Sequence, residues 1–420
     1  MSRRTHPPLD LLIVGGGPVG ATLAALWLGT EAARADRVLI LDSGLGSSAA
    51  SWPIEATPEL RVSALSRAGE RILRAAGAWS ALRPEVAHPY QRMRVWPELI
   101  EPLDPAALTF DAAELYEPNL GYIVQNRALQ HALLDVVRQR GGRWLAVAPT
   151  AVRIDEGVVT VATAEGEFSA SVLVGADGAR SAVRQLLGLP VRSQDYDQLA
   201  LVASVQPQHA HQDTAWQRFL GAGTLALLPL ANGRCSIVWS VPRAEGARLL
   251  DLDARAFSDA LTQASGRALG RLEVDGERLA FPLRRLEASH YAAERCVLVG
   301  DAAHVVHPLA GQGVNLGLLD AAALAQTLEA ALREGEDPGA RRVLRRYERW
   351  RKSDNELMSA AIDGFNRFLA FGRDPVGRLA QRGLGWVERS SMAKRFLVER
   401  ALGLTGDLPA VAQTGFRRAG

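Results

Sequence analysis

The 420-residue sequence is poor in cysteine, having only Cys235 and Cys296. Two cysteines cannot build a disulfide framework or a zinc cluster, and their scarcity fits a reducing compartment. No metal site is expected. Neither sign of charge dominates, with 48 Lys+Arg against 46 Asp+Glu and a net charge of +2, and no nucleic-acid partner is expected. Internal repeats and low-complexity tracts are missing. So is any apolar run of membrane-spanning length beyond the N-terminal region. Hydrophobic residues at 48% and charged residues at 22% are ordinary for a globular enzyme, and the length suffices for two intertwined domains. Charge is nevertheless unevenly spread. Residues 341–420 hold 17 Lys/Arg against 8 Asp/Glu, a local +9, which reads as a solvated helical face or as a membrane-surface patch.

What is present is organised around residues 9–42. Leu11 to Val14 is a short apolar run suited to the middle of a parallel sheet. Gly15, Gly17 and Gly20 follow at G-x-G-x-x-G spacing, then an Ala/Leu-rich helical segment, then a second apolar run, Val38 to Leu41, ending in Asp42. Gly15 permits the tight strand-to-helix turn, Gly17 lets backbone approach a pyrophosphate, and Gly20 lets helix and strand pack closely. Free N–H groups at the helix start suit phosphates, and Asp42 suits a ribose. The uncharged stretch Leu11–Gly29 could be taken for a membrane span, or, behind Arg3-Arg4, for a twin-arginine export signal. The glycines and the second strand favour a buried βαβ unit instead.

Residues 43–58 read as a loop, and Arg61 to Ala76 as a helix with Leu65, Ile72 and Leu73 on one face. Pro89 to Trp96 is strand-like, and Tyr122 to Val137 gives a short strand and an amphipathic helix. Val158 to Phe168 suggests edge strands returning to the sheet at Val172–Ala176. Leu225–Leu230 and Cys235–Val241 flank Asn232-Gly233, which predicts a hairpin with a type I′ turn. A helix is expected near 251–265, re-entry to the first sheet at Cys296–Val299, and helices through residue 405, with Gly335 to Gly339 a loop before the helical tail. Asp177-Gly178 and Gly300-Asp301 each follow an apolar strand. An acid at the end of a buried strand is costly unless it has partners, so two of them suggest a polyhydroxylated ligand at the sheet's carboxyl edge.

These residues resemble a known family. The glycine fingerprint, the Asp-Gly motif and the Gly-Asp motif stand in the order of the single-component flavoprotein aromatic hydroxylases. Closer still, the chain resembles the ubiquinone-biosynthesis hydroxylases of polyprenylated phenols, through RVSALS (61–66), PYQRMRVW (89–96), YIVQN (122–126), LLPL (227–230), CSIVWS (235–240), HPLAGQGVNLGLLDAA (307–322) and RRYERWRK (345–352). Within them it looks most like the branch acting at ring position C5. The resemblance implies an α/β fold: a Rossmann-like, glutathione-reductase-like FAD-binding domain (1–80, 111–189, 285–340), an inserted antiparallel β-sheet substrate domain (81–110, 190–284) and a C-terminal helical segment (341–420). It implies non-covalent FAD, with Gly15, Gly17, Gly20 and Arg61 at the pyrophosphate, Asp42 at the adenosine ribose and Gln125 nearby. Asp301 would serve the ribityl chain, Gly311, Gly313 and Asn315 the isoalloxazine edge, and Asp177 both FAD and NAD(P)H. The implied chemistry is ring hydroxylation with NAD(P)H and O₂ through a flavin C4a-hydroperoxide.

No catalytic base is nominated. His307 and Pro308 would line the active site, while His304 and His307 can equally serve packing. Trp216, Phe219, Leu227, Trp239 and Phe281 line a lipid-tail tunnel or form ordinary core. The expected location is cytoplasmic, with peripheral contact at the inner membrane face and assembly with other ubiquinone-biosynthesis proteins. Rival readings are a hydroxylase of a soluble aromatic compound and a non-catalytic subunit that retains FAD. A halogenase is disfavoured because W-x-W-x-I-P is missing.

Overall fold

The computed structural model describes residues 8–45, 59–155, 157–306, 312–370 and 405–414. β1 (Leu9–Val14) turns into α1 (Pro18–Leu28), and β2 (Val38–Leu41) returns parallel to it. Next come β3 (Val62–Leu65), α2 (Arg67–Ala76), β4 (Ala87–Tyr90), β5 (Arg92–Pro97) and β6 (Leu108–Asp111). β7 (Gly121–Gln125) leads into α3 (Asn126–Gln139) and β8 (Arg143–Leu145). β9 (Ala151–Asp155), β10 (Val158–Thr163) and β11 (Gly166–Gly175) form a meander that ends at the short α4 (Ala182–Leu186). Then follow β12 (Val191–Pro207), β13 (Thr214–Leu220), β14 (Gly223–Pro229), β15 (Cys235–Pro242), α5 (Arg243–Leu250), α6 (Ala254–Ala264) and β16 (Leu272–Ala288). β17 (Ala292–Ala293), β18 (Cys296–Leu298), β19 (His304–Val305), α7 (Gln312–Arg333) and α8 (Arg341–Ala370) complete the order.

The described residues form three sheets. The first runs β17-β18-β11-β1-β2-β8, with β10 and β9 beyond β11, and its central strands are parallel. Leu11 to Val14 are buried because both faces of this sheet are covered. α1 lies in that cover and is buried from Gly20 to Trp27, so its apolar residues show no preferred face. The span-like stretch is therefore core. Among the described residues, no helix is long and apolar enough to cross a membrane.

The second sheet runs β19-β16-β12-β15-β14-β13-β5-β6 and is mixed rather than purely antiparallel, because β13 pairs parallel with β5. It also extends past residue 284, where Leu286 and Glu287 of β16 pair with β19. One face packs against α5 and α6 through Trp216, Leu225, Leu227, Ile237, Trp239 and Phe257. Trp216, Leu227 and Trp239 are thus ordinary core. Phe219, on the opposite face, joins Val95, Leu108, Val306 and Leu316. The third sheet is β3-β7-β4.

Two local expectations need correction. The helix expected from Arg61 begins only at Arg67, since Val62–Leu65 pairs with β7 as β3. Ser66 marks the boundary by accepting from Gly69 N at 3.2 Å, as an N-cap should. Leu65 is buried in either reading, so periodicity could not separate them. The hairpin between β14 and β15 forms, but only Gly233 has positive φ (+77°). Leu230 O accepts from Gly233 N while Leu230 N donates to Arg234 O. That is a three-residue loop closed by a left-handed glycine, in place of the type I′ turn.

A wholly buried polar contact joins α7, α8 and the turn after β18. Asp320 is fully buried and accepts from Gly300 N (3.0 Å), His304 Nε2 (2.5 Å), Arg351 Nε (2.9 Å) and Asn355 Nδ2 (3.2 Å). Burial pushes its carboxyl up, but His304 and Arg351 outweigh burial and hold it at about 2. A depressed carboxyl contributes stability that is complete above its unfolded value near 4 and lost as pH falls through 2. Asp320→Asn should lose about 3–5 kcal/mol at pH 7. The gap to wild type should narrow by roughly 2 kcal/mol on acidification toward pH 2. Urea unfolding across that pH range measures both.

Candidate active site

At the carboxyl ends of β1, β2, β11 and β18 the first sheet opens a cleft of ≈ 470 Å³ lined by Gly15, Gly17, Asp42, Asp177, Asp301 and Gly313. Gly15 has φ +108°, and a Cβ there would meet Ala176 O at 2.2 Å. Gly20 is equally constrained, because its Cβ would meet Gly15 O at 2.0 Å. At Gly17, and again at Gly313, a Cβ would meet nothing within 4 Å, so these glycines leave open space on the cleft side. No side chain caps α1 at Gly17. This end of α1 lines the cleft through Gly17, Pro18 and Val19 and carries the partial positive charge of a helix start.

Asp42 holds the glycine loop. Its Oδ2 accepts from Gly16 N at 2.7 Å and its Oδ1 from Gly44 N at 2.8 Å, leaving a lone pair on each oxygen. Asp177 Oδ2 accepts from Ala182 N (2.6 Å) and Val183 N (3.1 Å) at the start of α4. Its Oδ1 is buried without a partner among the described residues, and a ligand donor is what it lacks. Asp301 is open to the cleft yet crowded by the protein around it. That crowding raises its carboxyl above the ordinary value, with His304 and Arg284 pulling the other way.

The remaining expected residues lie elsewhere. Arg61 stacks on Phe281 of β16, with its guanidinium carbon 4.5 Å from the ring centroid, and is not part of the cleft lining. Gln125 stands at the start of α3, also off the lining. The Asn315 side chain turns to β3, where Nδ2 donates to Ala64 O (2.8 Å) and Oδ1 accepts from Ser66 N (2.9 Å). It pins α7 to the third sheet. His307, Pro308 and Gly311 fall outside the described residues.

Sequence reasoning missed two supports. Gln130, five residues past Gln125, donates to Gly16 O at 2.8 Å and braces the glycine loop. Arg184 is buried and donates to Ala302 O (2.7 Å) and Ala179 O (2.9 Å), tying the two acid-bearing turns together. Burial lowers its guanidinium from the ordinary value, with Asp177 opposing. An arginine seven residues after Asp177, just past the Asp-Gly motif, was the available signal.

His88, His211 and Asp213 converge away from the cleft. His88 Nε2 meets Asp213 Oδ1 at 2.9 Å, while His211 spends Nε2 on Leu230 O (3.1 Å) and Nδ1 on Asp213 N (3.1 Å). With both nitrogens of His211 engaged, the group reads as a clamp where β4 passes into β5.

Orphaned Asp177 Oδ1, the uncapped start of α1 and the open space at Gly17 and Gly313 fit a dinucleotide with its phosphates at the glycine loop. Residues 70–358 match the family model described as FAD binding domain. The chain is 38% identical to ubiquinone hydroxylase UbiL of Rhodospirillum rubrum, covering 94% of this chain and 89% of that one. It is 34% identical to 3-demethoxyubiquinol 3-hydroxylase of Escherichia coli, covering 95% and 100%. The human mitochondrial ubiquinone biosynthesis monooxygenase COQ6 is 33% identical, covering 90% and 89%.

The chain belongs to the ubiquinone-biosynthesis FAD-dependent aromatic hydroxylases.

The hydroxylase is an FAD-dependent monooxygenase, and FAD is its cofactor. Its fold is that of p-nitrophenol 4-monooxygenase PnpA from Pseudomonas putida, with a TM-score of 0.75 over 95% of this chain and 99% of that one, at 20% identity.

Two glycines separate folding from binding in this site. Gly20→Ala should lower the stability of the apoprotein by about 1–3 kcal/mol through overpacking. Gly17→Ala should leave the apoprotein's Tm unchanged yet weaken FAD binding, since its methyl projects into open cleft. Thermal unfolding and FAD titration of each apoprotein distinguish the two effects.

Proposed function

We propose that this hydroxylase acts on the aromatic ring of a polyprenylated phenol in ubiquinone biosynthesis, using NAD(P)H and O₂. The observation that carries the proposal is convergence. Three stretches distant in sequence meet at one cleft as Gly15/Gly17, Asp177 and Asp301/Gly313, in a chain similar to ubiquinone hydroxylases over nearly its full length.

In this reading the N–H groups at Gly17 and the first turn of α1 bind the pyrophosphate, and Asp42 accepts from the adenosine ribose. Asp301 accepts from the ribityl chain, while Asp177 Oδ1 accepts from the cofactor or from docking NAD(P)H. Gly313 leaves room for the flat ring system. When bound, FAD supplies the redox chemistry that moves reducing equivalents from NAD(P)H to O₂ and one oxygen atom to the ring.

The second sheet, entered at β5–β6 and again at β12–β16, forms the substrate-side wall of an inserted domain. Its face bearing Phe219 and Val95 packs on Val306 and Leu316 beside the cofactor cleft, and so excludes water from that boundary. The basic excess of residues 341–420 suits an anionic membrane surface, where a polyprenylated phenol is dissolved. Arg351, being buried against Asp320, takes no part in that face. The enzyme would then work at the cytoplasmic side without spanning the bilayer.

The test is substrate-dependent NAD(P)H oxidation by FAD-loaded protein. A short-chain prenylated phenol should raise the rate and yield hydroxylated product, whereas the same phenol without its prenyl tail should do so far less. Equal response to both would favour a hydroxylase of soluble aromatics, and no product from either would favour a non-catalytic subunit.

A further inference from the structure

Asp301 follows Gly300, a glycine held at φ +58° in the turn where the chain leaves β18. Such a turn does not orient the next side chain by itself, because glycine populates several backbone wells at similar cost. Something must choose one, and α7 grips the turn from behind. An added Cβ on Gly317 would lie 3.4 Å from Gly300 Cα, so the helix backbone reaches the turn closely there. One turn on, Asp320 Oδ2 accepts the Gly300 N–H at 3.0 Å and meets His304 Nε2 at 2.5 Å. The two ends of the segment 300–304 are thus fastened to one oxygen, and Asp301 stands between them facing the cleft. His304 is fixed further by stacking on Tyr291, with centroids 5.8 Å apart.

The other oxygen of Asp320 is fastened to α8. Arg351 Nε (2.9 Å) and Asn355 Nδ2 (3.2 Å) donate to Oδ1, while Arg351 also pairs with Asp354 at 3.0 Å and donates to Asn355 Oδ1 at 2.9 Å. Arg351 and Asp320 are both wholly buried. A buried ion pair of this kind is weak evidence for stability, since apolar residues of like volume serve as well or better. What apolar residues could not supply is a fixed acceptor for the Gly300 N–H and His304.

We propose that Asp320 is a positioning residue of the cofactor site, holding the Gly300–Asp301 turn in the conformation that presents the Asp301 carboxylate to FAD, with Arg351 anchoring Asp320 from α8. The proposal rests on the reading that Asp301 contacts FAD. Asp320 acts through Asp301 and not on the cofactor. Charge alone predicts the opposite outcome: removing a negative charge from the protein should tighten binding of an anionic cofactor.

The experiment is a double-mutant cycle read as the Kd of FAD for the apoprotein, by quenching of flavin fluorescence, with visible circular dichroism of the bound flavin as a second signal. Asp301→Asn and Asp320→Asn should each weaken FAD binding by roughly tenfold or more. The double variant should be weaker than Asp301→Asn alone by less than about threefold, because the route through Asp301 is already lost. Asp320→Asn should alter the flavin dichroism, and Asp320→Asn added to Asp301→Asn should alter it no further. If Asp320→Asn lacks a cooperative unfolding transition, His304→Phe, which keeps a ring against Tyr291 but cannot donate to Asp320, replaces it in the same cycle with the same expectation. An unchanged Kd for Asp301→Asn would overturn the reading of Asp301 and the proposal with it. A weakened Asp301→Asn beside an unchanged or tighter Asp320→Asn would overturn the proposal alone. Multiplying effects in the double variant would make Asp320 a general structural residue and would likewise overturn it.

Discussion

A carboxylate shut away from water must find all its hydrogen bonds inside the protein, and this constraint orders the cofactor side of the molecule. Asp320 meets it with four donors drawn from the turn after β18, from β19 and from two positions on α8. Those donors form two local pairs, Gly300/His304 and Arg351/Asn355, distant from each other in sequence, so satisfying one side chain sets where two helices and a strand end come together. α8 shows the consequence in its own residues. Its buried stripe runs through Leu344, Tyr347, Glu348, Arg351, Asn355 and Ser359, and becomes polar where it crosses Asp320. Tyr347 adds a bond from its hydroxyl to Leu298 O at 3.0 Å, securing α8 to the strand that delivers Asp301.

The site itself arises from parallel strands that share one direction. β1, β2, β11 and β18 all end at the same edge, so residues at positions 15, 42, 177 and 301 become neighbours without any loop reaching across the fold. Each strand end then contributes what its position allows: a glycine where backbone must approach a ligand, an acid where hydroxyls must be held. Arg184 cross-links two of these ends through Ala179 O and Ala302 O, with its charge buried. Beside this edge the second sheet turns one face to α5 and α6 and the other to Val306 and Leu316. That division explains why Trp216 and Trp239 belong to a core while Phe219 borders the cofactor side.

Much of this was legible before any coordinates. Gly15, Gly17, Gly20 and Asp42 reveal themselves because a strand, a tight turn and a helix must follow one another at fixed spacing. Asp177 and Asp301 do so because an acid after a buried strand demands partners. Less legible were features set by partners distant in sequence. Asn315 carries the right motif, yet its amide is taken by Ala64 and Ser66, some 250 residues earlier in the chain. Arg351 looked like one more cation in a basic segment, since nothing local reveals that Asp320 lies against it. Arg61 is off the cleft lining, and its guanidinium lies over the ring of Phe281 on a strand of the second sheet. The onset of α2 was misplaced because Val62–Leu65 satisfies helical and strand patterns alike, and only pairing with β7 decides.

If the cleft at this sheet edge serves oxygen insertion into a prenylated phenol, the new ring oxygen must come from O₂. Turnover under ¹⁸O₂ with FAD, NAD(P)H and a short-chain prenylated phenol, followed by mass spectrometry of the extracted product, measures its origin. The account predicts a product heavier by one oxygen atom, carrying a single ¹⁸O on the ring. Product bearing ¹⁶O drawn from water, or NAD(P)H consumed with all of the ¹⁸O₂ recovered as peroxide and the phenol unchanged, would contradict it.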